Sequence, residues 1–244
     1  MNANPVLPLM FALMILPAAA AAQPLQPSQS PPSGFFAGLD VSGGMAHGSS
    51  STRDGGAPFA GGGIVRNLKF DNTVGIGGHA GYRFDAWSVF LSYAHIQGDV
   101  GWDADFPKAG IASGFAGSAA SDVILANVAY EFPLSDALAL GASGGVGVAF
   151  NSLSGIDERD LGSGQFLSHV AGHTETSPAA RLGLGLRYRM GRDLEWGLDA
   201  SLLYTGGFRT GDTRRGNQGV TGIVPYEIDD VWRADLGVSF RYRF

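Results

Sequence analysis

The sequence contains no cysteine. A disulfide framework and a thiolate metal site are both excluded. Lysine is nearly absent, and charged residues of all kinds make up only 16% of the chain. Soluble domains normally cover themselves with such residues, so their scarcity counts against a water-exposed surface all round. Net charge is −6 at pH 7. That balance offers no basic face to phosphates, and no nucleic-acid partner is expected. Glycine is abundant, at 38 residues, but without a collagen-like period. Its glycines must serve turns or crowded packing.

No charged side chain occurs before Asp40. The apolar stretch from Pro5 to Ala22 ends in Ala20-Ala21-Ala22, which fits the small-residue cleavage rule of a signal peptide. Residues 1–22 are therefore expected to be a signal peptide, although MNAN carries no Lys or Arg. Pro8, Pro17 and the short span argue against an uncleaved helical anchor. Residues 23–33, QPLQPSQSPPS, read as a Pro-rich periplasmic N-terminal segment.

From Gly34 onward one theme repeats. Strands turn successive side chains to opposite faces, so hydrophobicity with period 2 marks a sheet between two environments. Eight such segments can be read, at 34–46, 73–84, 87–95, 122–132, 138–150, 180–190, 194–204 and 231–244. In the last, RADLGVSFRYRF, Arg233, Asp235, Arg241 and Arg243 alternate with Ala234, Leu236, Phe240, Tyr242 and Phe244. One face of every segment is oily, with aromatics toward its ends. The opposite face is small or charged.

A soluble sandwich buries its apolar face under a second layer. Here the sequence supplies no helices to cover it. Lipid on the outside accounts for the pattern. In hydrocarbon every backbone group must be paired within the structure, so the sheet must close into a barrel with polar groups inside. Connections alternate in length. Residues 85–86, 133–137 and 191–193 are short, whereas 49–72, 98–121, 151–178 and 206–230 are long. Short periplasmic turns and long extracellular loops are the signature of an outer-membrane barrel. Residues 34–244 are thus expected to be an all-β domain: an eight-stranded antiparallel up-and-down transmembrane β-barrel in the cell outer membrane.

The segments GFFAGLDVSGG, GASGGVGVAF and RADLGVSFRYRF carry a resemblance. Across 34–244 the chain resembles the eight-stranded outer-membrane barrels of the OmpA, OmpX and opacity type. The role of OmpA's periplasmic peptidoglycan-binding domain is not expected to carry over. The resemblance implies that Phe240, Tyr242 and Phe244 are read by the outer-membrane assembly machinery.

Eight strands enclose a space that side chains can just fill. The inward charges Asp40, Arg83, Glu131, Arg181, Arg187, Arg189, Glu195, Asp199, Arg233, Asp235, Arg241 and Arg243 are expected to form a lumen ion-pair network. The short turn at 191–193 sets Arg189 opposite Glu195, with Arg187 in reach of Glu195 or Asp199. An aromatic girdle is expected on the lipid face. Phe35, Tyr82, Phe84, Trp87, Tyr130, Phe132, Tyr188 and Trp196 lie at its turn side, and Tyr93, Phe150, Tyr204 and Trp232 at its loop side.

Chemistry is sparse. His47-Gly48-Ser49 is an H-x-S with no acid placed beside it, and His169, His173 and Glu175 lack a third ligand at metal spacing. No catalytic residue, cofactor or metal is expected. The expected role is structural or surface interaction: envelope integrity, lipopolysaccharide contact or adhesion through the loops. A narrow pore and a lipid A-modifying hydrolase are the alternatives. Arg53, Arg66, Lys69, Arg209, Arg214 and Arg215 lie at the outer rim, where they can meet lipopolysaccharide phosphates. A monomer is expected.

Overall fold

The computed structural model describes residues 33–50, 64–106, 110–216 and 219–244. The expected signal peptide, all of the Pro-rich segment except Ser33, and Arg53 lie outside the described residues. Among the described residues twelve strand segments follow one another: β1 Gly34–Ser49, β2 Ile64–Phe70, β3 Thr73–Phe84, β4 Trp87–Phe106, β5 Ile111–Pro133, β6 Leu138–Asp160, β7 Phe166–Val170, β8 His173–Met190, β9 Leu194–Arg209, β10 Thr213–Gly216, β11 Gly219–Gly222 and β12 Glu227–Arg243.

Eight of them close a ring. β1 pairs with β3, and the antiparallel pairing continues through β4, β5, β6, β8, β9 and β12. β12 returns to β1, from Phe36 opposite Arg243 to Ala46 opposite Arg233. Both edges that an open sheet would present to lipid are thereby satisfied.

The outward rows are those read from period 2. Phe35, Leu39, Ile76, Leu91, Val146, Leu182, Leu184 and Leu236 are exposed on the outer face, as lipid-facing residues must be. Aromatics pair across strands at both ends of this band. Phe35 packs on Tyr82 at 5.0 Å, Trp87 on Tyr130 at 4.8 Å, and Tyr204 on Trp232 at 4.8 Å.

The wall is taller than the sequence reading expects. Four connections were read as loops, yet much of their length is strand. β4 runs to Phe106 and β5 starts at Ile111, so most of 98–121 is a continued hairpin. β6 runs to Asp160. β2 pairs with β4 directly beyond β3 and prolongs it after a break at Asp71-Asn72. β7 prolongs β8 against β6 in the same way. At 23 residues, β5 is about twice the roughly 9–11 residues that cross a membrane.

The extension inverts the polarity of the strand without changing its parity. On β4 the outward row runs Trp87, Val89, Leu91, Tyr93 and then His95, Gln97, Asp99, Asp103, Asp105. Its inward row runs Ser88, Phe90, Ser92 and then Ile96, Val100, Trp102, Ala104, Phe106. Below the switch the outside faces lipid. Above it the outside faces water, and the inside must be apolar, as in any soluble fold.

Two apolar layers result. Ile96, Val123, Leu125, Ala149, Ala179 and Leu203 form the lower one. The upper one gathers Val100, Trp102, Phe106, Phe115, Leu153, Ile156, Phe208, Tyr226, Ile228 and their neighbours. Trp102 stacks on Phe115 at 5.3 Å, and Tyr226 packs on Phe115 at 4.8 Å. Asn151 also faces inward and is fully buried. Its amide donates to the carbonyls of Thr205 at 2.6 Å and Gly207 at 2.7 Å, and its oxygen accepts from Ser121. The carbonyls are presented where Gly206 adopts φ 76°, which a side chain would strain.

Candidate functional site

Among the described residues, buried charge is concentrated in the membrane-level lumen. Arg83, Glu131, Glu195, Arg233, Arg241 and Arg243 are each at most 6% exposed. An isolated charge so placed would cost several kcal/mol of solvation, so the arrangement must pair them.

Glu195 and Glu131 are its hubs. Glu195 lies 3.5 Å from Arg83, 3.7 Å from Arg189, 3.7 Å from Arg241 and 3.5 Å from Arg243. Glu131 accepts from Arg241 at 3.0 Å and pairs with Arg83. The guanidinium of Arg241 also lies 4.4 Å over the Phe36 ring. Arg189 and Arg243 donate to the carbonyls of Asp136 and Arg192, each at 2.7 Å, and so tie the plug to the short turns.

A second group sits deeper. Arg187 chooses Asp199, at 2.6 Å, and Ser239 donates to the same carboxylate at 2.8 Å. Glycine makes room for it: a Cβ on Gly197 would overlap the Arg187 guanidinium, and one on Gly185 would overlap Asp199. Arg233 pairs with Asp235 at 2.6 Å. Asp40 is not paired with an arginine. It lies 2.8 Å from Nδ1 of His79, whose ring forms a cluster with those of Phe36 and Phe90.

Arg181 departs from the expected network. It faces the lumen, but its Nε is buried without a hydrogen-bond partner among the described residues. It borders two small cavities. One, of about 60 Å³, is lined also by Asp40, Ser42, Ser92, Asp199 and Asp235, and the other, of about 40 Å³, by His79, Asn127, Ser143 and Arg187. Each can hold a few waters but no passage for a solute.

Sequence reasoning missed His79 as the Asp40 partner. It also missed Phe36, although parity with exposed Phe35 turns Phe36 inward. Glu158 was missed too, because it was read as loop. It is 1% exposed and accepts from Ser113 at 2.9 Å, Ser168 at 2.5 Å and Arg214 at 3.0 Å. Arg214 is thus committed to the interior and is not a free rim base. Arg66 pairs with Asp105, and Arg209 lies 3.7 Å from Glu227. His47 and Ser49 face outward, as their parity requires. Ser49 Oγ donates to the Asp229 carbonyl at 3.5 Å. His169 pairs with Asp157 at 2.6 Å, and His173 stands on a different strand.

Comparison with known proteins agrees with this architecture. Residues 9–244 match the model of the outer membrane protein beta-barrel domain. Among solved structures, OprG of Pseudomonas aeruginosa is 14% identical with a TM-score of 0.51, covering 89% of this chain and 99% of its own. The Neisserial surface protein A is 15% identical with a TM-score of 0.42, covering 87% and 99%. Ail of Yersinia pestis, solved with the heparin analogue sucrose octasulfate, is 15% identical with a TM-score of 0.40, covering 86% and 99%. None of the curated proteins matches the chain. At 14% identity OprG speaks for the fold alone. The family match spans nearly the whole chain, and the chain belongs to the outer membrane protein beta-barrel domain family, whose place is the outer membrane.

Proposed function

We propose that this chain is a closed, non-conducting and non-enzymatic outer-membrane barrel whose role is structural and, through its extracellular extension, interactive. The observation that carries this reading is the double seal of its interior. Ion pairs bridge the lumen at the periplasmic end, and two apolar layers fill it above. A narrow pore would need a continuous polar path, and Trp102, Phe115 and Ile156 stand across it. The lipid-hydrolase alternative has little support, since Ser49 leans on a backbone carbonyl rather than on an imidazole.

The envelope side of the reading rests on the outer surface. The aromatic rings fit the two membrane interfaces, and the exposed C-terminal Phe240, Tyr242 and Phe244 suit the assembly signal that the family resemblance implies. Outside partners would meet the extension, where acidic residues outnumber basic ones among the described positions. Recording from purified barrel in planar bilayers tests the proposal. The expected result is a flat baseline. Discrete, reproducible conductance steps would replace this reading with that of a pore.

A further inference from the structure

The outer boundary of the lipid band carries an arrangement that the barrel does not need for closure. Tyr93 belongs to the loop-side girdle, and His95 is the next outward residue above it on β4. Directly opposite His95 stands Asp122 on β5. One oxygen of Asp122 accepts from the Tyr93 hydroxyl at 2.6 Å and lies 2.9 Å from Nδ1 of His95. A carboxylate can only accept, so Nδ1 carries the hydrogen. The carboxylate fixes the ring, and Nε2 is the nitrogen left for a second partner.

Apart from the carboxylates of Asp122 and Asp99, the surroundings are neutral or donating. On β3 the residues beside His95 and Gln97 are Ile76 and Val74. On β5 Ala120 stands opposite Gln97, and on β6 Ser152 stands opposite Ala120, its hydroxyl 2.6 Å from that of Thr174. The row above His95 therefore offers an amide and two hydroxyls around a small alanine. The charged groups facing the imidazole are Asp122, already engaged, and Asp99 further along β4, which Ser118 binds at 3.2 Å. Tyr93 is the remaining titratable neighbour.

We propose that His95, held by Asp122 and Tyr93, is a contact for the phosphate of an outer-leaflet lipid headgroup, with Gln97 and Ser152 as neighbouring donors. Protonated at Nε2, the imidazole gives a phosphate oxygen a charge-assisted hydrogen bond at the depth where headgroups lie. The outer bases expected from the sequence to meet phosphate are in part committed elsewhere, Arg66 to Asp105 and Arg214 to Glu158. The inference names a ligand for the surface role proposed above. It does not depend on the lumen being sealed, so its failure would leave the conductance result standing.

Native mass spectrometry of the purified barrel, released from a nonionic detergent, tests it. The probes are diphosphoryl lipid A, the same lipid without phosphate, and inorganic phosphate. Diphosphoryl lipid A is expected to bind about tenfold more tightly than the dephosphorylated form. His95→Phe should lose that advantage. His95→Gln keeps a neutral donor and should retain part of it. Gel mobility with and without boiling reports whether each variant is folded. Equal binding of the two lipids, an unchanged folded His95→Phe, or displacement by equimolar inorganic phosphate would each overturn the proposal.

Discussion

Arg241 on β12 donates to Glu131 on β5 at 3.0 Å, and these two strands are not neighbours in the ring. The bond crosses the lumen. Arg83 on β3 reaches Glu195 on β9 in the same manner, at 3.5 Å. Such ties join opposite walls and leave no straight axial path between them.

Glu195 is the carboxylate most shared, with four arginines within 3.7 Å. Glu195→Ala would leave a cluster of buried guanidiniums with Glu131 alone. Breaking a buried pair from one side typically costs ~3–5 kcal/mol. Urea unfolding in micelles should show a loss of that size. A variant as resistant as the parent protein would mean that turn carbonyls or water already carry these arginines.

The four tryptophans report depth. Trp87 and Trp196 lie at the turn side of the lipid face and Trp232 at the loop side, all outward. Trp102 is 3% exposed and points into the upper apolar layer. In single-tryptophan variants, brominated lipid should quench the first three from shallow positions. Trp102 should remain unquenched whatever the bromine depth. Strong quenching of Trp102 would place the apolar extension inside the bilayer.

Removing Trp102 separates the two halves of the interior. Trp102→Ala deletes a ring packed on Phe115 and Tyr226, and large aromatic deletions in cores cost ~3–5 kcal/mol. The expected outcome is protease cleavage of the extension on intact cells. The membrane ring should keep its heat-modifiable gel mobility, because its ion pairs lie elsewhere. Simultaneous loss of both would show one cooperative unit.

At the top of β6 the turn after Asp160 is tied locally. The Ser163 hydroxyl and amide both donate to the Asp160 carboxylate at 2.7 Å, and these bonds hold its pKa below the usual carboxylate value. A lowered folded-state pKa stabilises the turn above the ordinary range and is lost as pH falls through the lowered value. Protection of the Ser163 amide, taken against its intrinsic exchange rate at each pH, should therefore be high at neutral pH and fall on acidification. In Asp160→Ala it should be low throughout.

The C-terminus offers a contrast between assembly and stability. Phe244 is 79% exposed, and its amide donates to the Phe35 carbonyl at 3.0 Å. Deleting it removes one rim hydrogen bond and little packing. Folded barrel in cells is expected to fall more than the stability of refolded protein, as read by gel mobility beside total immunoblot. Equal folded fractions in cells would refute the assembly role.

The sequence made the ring legible because period 2 persists wherever lipid faces one side. The register of β8 on β9 was readable as well, since a short turn leaves Arg189 only Glu195 to oppose. Two things were not. Above His95 the polarity of β4 inverts, so a template of apolar-out, polar-in stops matching although Val100, Trp102, Ala104 and Phe106 keep the inward parity of Ser88. Partners across the lumen were hidden too. Register names only adjacent strands, and Arg241 with Glu131 is set by curvature of the whole ring.

The position of the arginines along the chain bears on the order of folding. Glu131 and Glu195 arrive on β5 and β9, while Arg241 and Arg243 are both carried by β12. Until the final strand is made and docked, the two hub acids lack these two counter-charges, and the interior cannot be dehydrated cheaply. Sealing the wall and drying the lumen are then a single late event rather than two. An unfinished barrel stays wet and soft inside, which keeps its last seam open for β12.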